Sequence, residues 1–263
     1  MPVSFKNLFD LTGKTALVVG GASGIGRSSA LGLADFGAHV IVADMNLENA
    51  NLVKAEIEAK GGTASTVLAN ISDANAIQKL FANLERVDVL VCTPAINVRK
   101  RVLDYTDEEL DRVVDLNLKG NFRLLREGAR KMVSQNPSGG SIIVFSSIRS
   151  LTVEPGQAVY AATKAGVLQI VKTMAVELAE HGIRINAIGP GVVNTPLTAQ
   201  IKNNPEWYDA YSNKTALGRW AEADEMAGPV IYLASRASSY VTGTIHFVDG
   251  GWTAIDGRFT PPL

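Results

Sequence analysis

The chain has 263 residues, 46% of them hydrophobic, with 25 Lys plus Arg against 26 Asp plus Glu and a formal net charge of -1. That is ample apolar material for a sizeable core and too balanced a charge to favour phosphate backbones or anionic lipid. The lone cysteine, Cys92, excludes an internal disulfide, and His39, His181 and His246 lack metal-ligand spacing. The opening residues place Lys6, Asp10 and Lys14 where a secretory leader needs an unbroken apolar stretch, and no later run approaches a membrane span. These features predict a cytoplasmic protein with no metal and no nucleic-acid or membrane partner.

In chain order, strand TALVV (15–19) is followed by a glycine-rich turn and a helix over 25–36. HVIVA (39–43), a helix over 48–60, TASTVL (63–68), a helix over 74–85 and VDVLV (87–91) continue the rhythm. A helix over 107–134 begins at a capping box, Thr106 with Glu109, and leads to SIIVF (141–145), a helix over 157–181 and IRINAI (183–188). The segment 196–221, with Pro196, Asn203, Asn204, Pro205, Trp207, Tyr208 and Tyr211, breaks the alternation and reads as a loop-rich lid. A helix over 222–235 and the strand TIHFV (244–248) close the series. Strands that are apolar on nearly every residue fit burial on both faces, so the pattern predicts an α/β fold: a doubly wound parallel sheet of about seven strands with helices on both faces. No linker interrupts it, so residues 1–263 read as one domain.

The turn after the first strand is Gly20-Gly21-Ala22-Ser23-Gly24-Ile25-Gly26. Glycines there let backbone N–H groups approach a pyrophosphate that the following helix attracts, and Asp44, ending the next strand, is placed to accept hydrogen bonds from a ribose diol. A carboxylate at that position repels a 2′-phosphate, and no Arg or Lys stands at position 23 or over 43–47, so NAD is favoured over NADP. The competing readings are a steric turn and a strand-end acid.

Tyr160 and Lys164, at i and i+4, share one helix face, where an ammonium lowers a phenol's pKa from about 10. Ser146 and Ser147 close the fifth strand at the ligand-binding end of an open sheet, and Asn117 sits mid-helix against its propensity, a place that suits the holding of a water.

These residues resemble the short-chain dehydrogenases/reductases, from about Gly13 to Trp252. The resemblance rests on the 20–26 turn, Asp44, Asn117 in Asp115–Gly120, Ser147 thirteen residues before Tyr160, Lys164, Pro190-Gly191 with Thr195, and Asp249-Gly250-Gly251. It implies a Rossmann-like domain in which Tyr160 is acid/base, Lys164 lowers its pKa and holds the nicotinamide ribose, Ser147 binds the substrate oxygen and Asn117 anchors a relay water. It also implies a cofactor path along Gly20, Ser23, Gly24, Ile25, Gly26, Asp44, Asn70, Ile71, Thr93, Tyr160, Lys164, Pro190, Val193 and Thr195. The reaction implied is interconversion of a secondary alcohol and a ketone, with the hydride passing to or from nicotinamide C4. The family likeness further implies a homotetramer, helices 107–134 and 157–181 pairing between subunits and the tail 255–263 packing at another contact.

Three departures stand out. Val19 replaces the family's usual Thr, Cys92-Thr93-Pro94-Ala95 replaces its Asn-Asn-Ala-Gly, and Asn70 replaces an Asp at the adenine amino group. Cys92 reads as a buried small residue. Arg99, Lys100, Arg101 and Arg149 suit a carboxylate, and the Ala95–Lys100 stretch is similar to that of the gluconate 5-dehydrogenase and deoxygluconate dehydrogenase group. The expected substrate is a sugar, sugar acid or polyol, gripped by Arg99, Arg149, Ser147 and Tyr160. Alternatives are a 3-oxoacyl-thioester reductase, an idle NAD-binding regulator, and a solvated surface or subunit contact for residues 99–101.

Overall fold

The computed structural model describes residues 5–254; the tail at 255–263, expected to pack on a neighbouring subunit, lies outside them. Strands β1 (Thr15–Val19), β2 (His39–Asp44), β3 (Thr63–Leu68), β4 (Val89–Cys92), β5 (Gly140–Phe145), β6 (Ile183–Pro190) and, after a two-strand ribbon of β7 (Val193–Asn194) and β8 (Ala221–Glu222), β9 (Ile245–Val248) are reached in chain order. All but β7 and β8 form one parallel sheet in the order β3-β2-β1-β4-β5-β6-β9. β4 starts at Val89, just after Asp88, whose carboxylate accepts from the Thr15 N–H (3.0 Å) and from Arg86 while its backbone bonds to Thr15 and Ser141 of the neighbouring strands.

Alternation along each strand divides the core in two. Leu17, Leu90, Cys92, Ile142 and Val144 face α3 (Ala74–Ala82), α5 (Asn121–Ser134) and α6 (Ala158–Glu177). Ala16, Val18, Val89, Val91 and Ile143 face α1 (Gly24–Asp35), α2 (Leu47–Ala59) and α9 (Ala227–Ala234). Burial on both faces is what the unbroken apolar strands require. The order reverses between β1 and β4, and the loops after these two strands part there into a crevice, where open α/β sheets bind ligands.

Two expected elements differ. The helix expected over 107–134 is α4 (Asp107–Val114), a widened π turn over Asp115–Gly120, and α5; the Thr106–Glu109 capping box is present at its start. The 196–221 segment is largely helical, with α7 (Ala199–Lys202) and α8 (Pro205–Lys214), rather than loop-rich. Pro205, read as a breaker, occupies the first helical turn, and Asn204 caps that turn by accepting from the Trp207 N–H (3.3 Å). Tyr208 then stacks on Trp220 (5.1 Å, 12°), whose indole donates to the Tyr208 carbonyl (3.1 Å). Among the described residues no helix is long and apolar enough to cross a membrane, and no cluster could hold a metal ion.

Candidate active site

A cleft of about 400 Å³ opens at the sheet reversal, walled by the 20–26 turn, Asp44, Met45, Ala69, Ile71, residues 93–96, Leu116 and Thr195–Leu197. Two glycines make its floor. A Cβ on Gly20 would lie 2.4 Å from the Thr93 hydroxyl, and one on Gly26 would lie 2.0 Å from the Gly20 carbonyl oxygen, so the turn folds over itself only without side chains. Ser23 precedes α1 without capping it, leaving the first-turn N–H groups open to the cleft. This cradle fits a dinucleotide pyrophosphate. Asp44 accepts from the Ala22 and Asn46 N–H groups (3.1 and 2.9 Å) and lines the cleft beside Met45; among the described residues no Lys or Arg lines it.

The altered segment after β4 keeps the turn closed. Thr93 donates its hydroxyl to the Val19 carbonyl (2.9 Å) and lies 3.2 Å from that of Gly20, stitching the ends of β1 and β4. Cys92 is buried, donates its thiol to Asn121 Oδ1 (2.7 Å), and burial pushes that thiol up to about 12. The Asn121 amide donates to the Asn117 carbonyl (2.9 Å) and the Leu116 carbonyl (3.3 Å), supplying partners that the widened turn withdraws from the regular ladder. Asn121 carries no motif and was not legible in the sequence.

Asn117 is fully buried. Its side chain is taken up by the Ile96 backbone, accepting from its N–H (2.9 Å) and donating to its carbonyl (2.8 Å). It thereby fixes the loop after β4 against the helix that carries the π turn.

Tyr160 and Lys164 come from one face of α6, both nearly inaccessible, beside Ser147 at the end of β5. Lys164 donates from Nζ to the Phe145 carbonyl (2.8 Å) and lies 5.6 Å from the Tyr160 ring centroid; burial lowers it to about 8. Burial raises the Tyr160 phenol above its ordinary value, while the Ser147 hydrogen bond and the charges of Arg99 and Arg149 pull it back. The expected lowering by Lys164 is thus outweighed by desolvation, and the cations that oppose it are arginines. Ser146 donates to the Lys164 carbonyl (3.0 Å), a structural bond that leaves Ser147 as the hydroxyl facing the phenol.

A narrower cavity of about 70 Å³ lies beyond Tyr160, lined by Ser147, Arg149, Arg99, Asn97, Gln157, Gly191, Val192 and, from the 196–214 segment, Leu197, Ile201 and Tyr211. Arg99 and Arg149 therefore do reach one site. Lys100 instead pairs with Glu109 (2.6 Å), and Arg101 is exposed before a short helical turn. Trp207 and Trp252 lie under Arg99 and Arg149 (5.9 and 5.4 Å). Tyr208 is occupied by Trp220.

Not every expected contact is on a wall. Asn70 accepts from the Ser72 N–H (3.0 Å) and lies between the cleft-lining Ala69 and Ile71 without lining the cleft itself. Pro190 and Val193 are buried in β6 and β7; Val193 meets the site through its carbonyl, which accepts from Thr198 (2.6 Å). Asn97, within the Ala95–Lys100 stretch, and Tyr211, within the 196–221 segment, also line the narrower cavity, a role the sequence did not assign to either.

Residues 20–253 match the family described as enoyl-(acyl carrier protein) reductase, a short-chain dehydrogenase/reductase family. The chain is 34% identical to the gluconate 5-dehydrogenase of Gluconobacter oxydans (strain 621H), over 95% of this chain and 99% of that one. It is 36% identical to the 3-oxoacyl-(acyl-carrier-protein) reductase FabG of Thermotoga maritima, over 92% and 98%. The crystal structure of a gluconate 5-dehydrogenase from Burkholderia cenocepacia J2315, in complex with NADP and tartrate, superposes with a TM-score of 0.89 at 32% identity, covering 95% of this chain and 98% of that one. Sheet order, glycine cradle and matching relatives agree, and the chain belongs to the short-chain dehydrogenase/reductase family.

Proposed function

We propose that this oxidoreductase interconverts a secondary alcohol and a ketone on a sugar, sugar acid or polyol, with NAD as its preferred cofactor. The observation that carries the reading is that Ser147 and Tyr160 line the arginine-bearing cavity, with Lys164 buried one helical turn from Tyr160, and that this cavity shares the wall residue Leu197 with the glycine-lined cleft. A bound nicotinamide supplies the hydride acceptor or donor. Tyr160 takes the hydroxyl proton as phenolate or returns it as phenol, Ser147 holds the substrate oxygen, and Lys164 adds positive charge beside the phenol and reaches the nicotinamide ribose. Asn117 holds the Ile96 backbone and, through the widened turn, stations the proton path. Ser23, Ile25 and Thr195 contact the cofactor from the cleft wall. The Asp44 carboxylate and the absence of any cation on that wall favour a ribose diol over a 2′-phosphate. Helices α7 and α8 form the lid over the substrate.

The matching 3-oxoacyl-(acyl-carrier-protein) reductases support a second reading, reduction of an acyl thioester with NADPH. Screening aldonic acids, sugars and polyols with NAD and NADP separates the two. We expect turnover on hydroxylated acids, at least tenfold faster with NAD; equal rates with NADP overturn the role of Asp44, and reaction with 3-oxoacyl thioesters alone selects the second reading.

We also infer a homotetramer. Leu103 beside α4, Val176 on α6 and Tyr240 before β9 are large apolar side chains left in solvent, which suits burial between copies. Sedimentation velocity is expected to give four times the chain mass; a monomer refutes it.

A further inference from the structure

The polar wall of the substrate cavity is organised around one carboxylate. Glu154, in the loop after β5, accepts at Oε1 from Arg99 Nη1 (3.1 Å) and the Tyr211 hydroxyl, and at Oε2 from Arg149 and from Gln157 Nε2 (2.6 Å). Gln157 in turn accepts from Asn97 Nδ2 (2.9 Å), which leaves Asn97 Oδ1 buried without a partner.

Two imbalances follow. The two guanidinium groups face a single carboxylate, so the wall carries a surplus positive charge. A partly buried cation without an anion is costly, and so is an acceptor without a donor. A ligand with one carboxylate and neighbouring hydroxyls corrects both. The cavity, about 70 Å³, is far below the roughly 300–1,000 Å³ of small-molecule sites. Such a ligand needs the cavity to widen, and Tyr211, the residue of α8 that lines it and holds Glu154, ties that helix to the loop after β5.

Resting on the dehydrogenase reading above, we infer that the site takes a polyhydroxy acid bearing one carboxylate, and that Glu154 keeps that carboxylate's place on Arg99 and Arg149 until the substrate displaces it. Displacement frees Tyr211 and with it the lid. Asn97 Oδ1 accepts from a substrate hydroxyl. Glu154 is then a specificity residue: a neutral polyol has no charge with which to compete for the arginines and pays the full cost of opening the lid.

The test is calorimetric titration of D-gluconate and of neutral D-glucitol into the full chain saturated with NADH, where both ligands are already reduced and no turnover intervenes. Glu154→Gln keeps the shape and removes the charge; it is expected to tighten gluconate at least tenfold and glucitol, which gains only from the loosened lid, severalfold less. Tyr211→Phe, which loosens Glu154 without removing it, is expected to tighten gluconate by a smaller factor. Unchanged or weaker gluconate binding in both variants, at retained melting temperature, overturns the inference, as does equal tightening of gluconate and glucitol. Gluconate that binds in this pattern but is never oxidised with NAD refutes the dehydrogenase reading instead, so the two failures are distinct.

Discussion

Tyr160→Phe is expected to lower kcat by about 10²–10⁴-fold while leaving dinucleotide affinity within a few-fold. The substitution removes one oxygen from a buried side chain hydrogen-bonded to Ser147 and keeps the ring that lies 5.6 Å from Lys164 Nζ, so the fold loses a hydrogen bond and keeps its packing. The pH dependence carries the sign of the mechanism. Burial holds the phenol above its ordinary value, so at neutral pH it is protonated in the free protein. Oxidation needs the phenolate, and its kcat/KM therefore rises as pH climbs toward that titration. Ketone reduction needs the phenol, and its rate is level at low pH and falls through the same titration. Lys164, lowered to about 8, loses its charge within that rise and flattens it. Stopped-flow rates in both directions from pH 6 to beyond the ordinary tyrosine value of about 10 check the pair of slopes; a variant keeping a tenth of kcat, or two slopes of one sign, refutes Tyr160 as the proton carrier.

Gly26→Ala is expected to abolish dinucleotide binding and to destabilise the fold by about 3 kcal/mol, a fall of roughly 6–12 °C in Tm for a chain of this size. The added methyl would sit 2.0 Å from the Gly20 carbonyl oxygen, a backbone atom that cannot swing aside, and 3.0 Å from the Thr93 hydroxyl that joins β1 to β4. The turn must open, and its opening separates the strand ends that make the crevice. Gly228→Ala is the matched control: it lies inside α9 with open space at its Cβ, so the better helix former is expected to leave Tm unchanged or raise it. Equal melting of Gly26→Ala and wild type, with binding retained, refutes the cradle.

The parts of the site that were legible in the sequence are those built from neighbours along the chain. The 20–26 turn follows a strand and opens a helix; Tyr160 and Lys164 are one helical turn apart; Ser147 ends its strand; the Thr106 capping box closes within three residues. In each case a short-range geometric period places the side chains, and tertiary packing only has to preserve the result. Even the departures at Cys92 to Ala95 could be located, although not how they are accommodated.

What that local pattern by itself determined about this protein is therefore the parallel α/β architecture, the cradle and the placing of Tyr160 and Lys164 on one helix face. The tertiary structure alone decided the rest. Glu154 meets Arg99 across 55 residues and Tyr211 across 57, and Asn121 meets Cys92 across 29. Tyr208 of α8 stacks on Trp220, twelve residues away, and the direction of the Tyr160 shift depends on how completely the phenol is desolvated. Strand alternation and helical spacing repeat every few residues and leave their mark in order of sequence, whereas burial and ion pairing are set by which distant surfaces come together, and no local period records that.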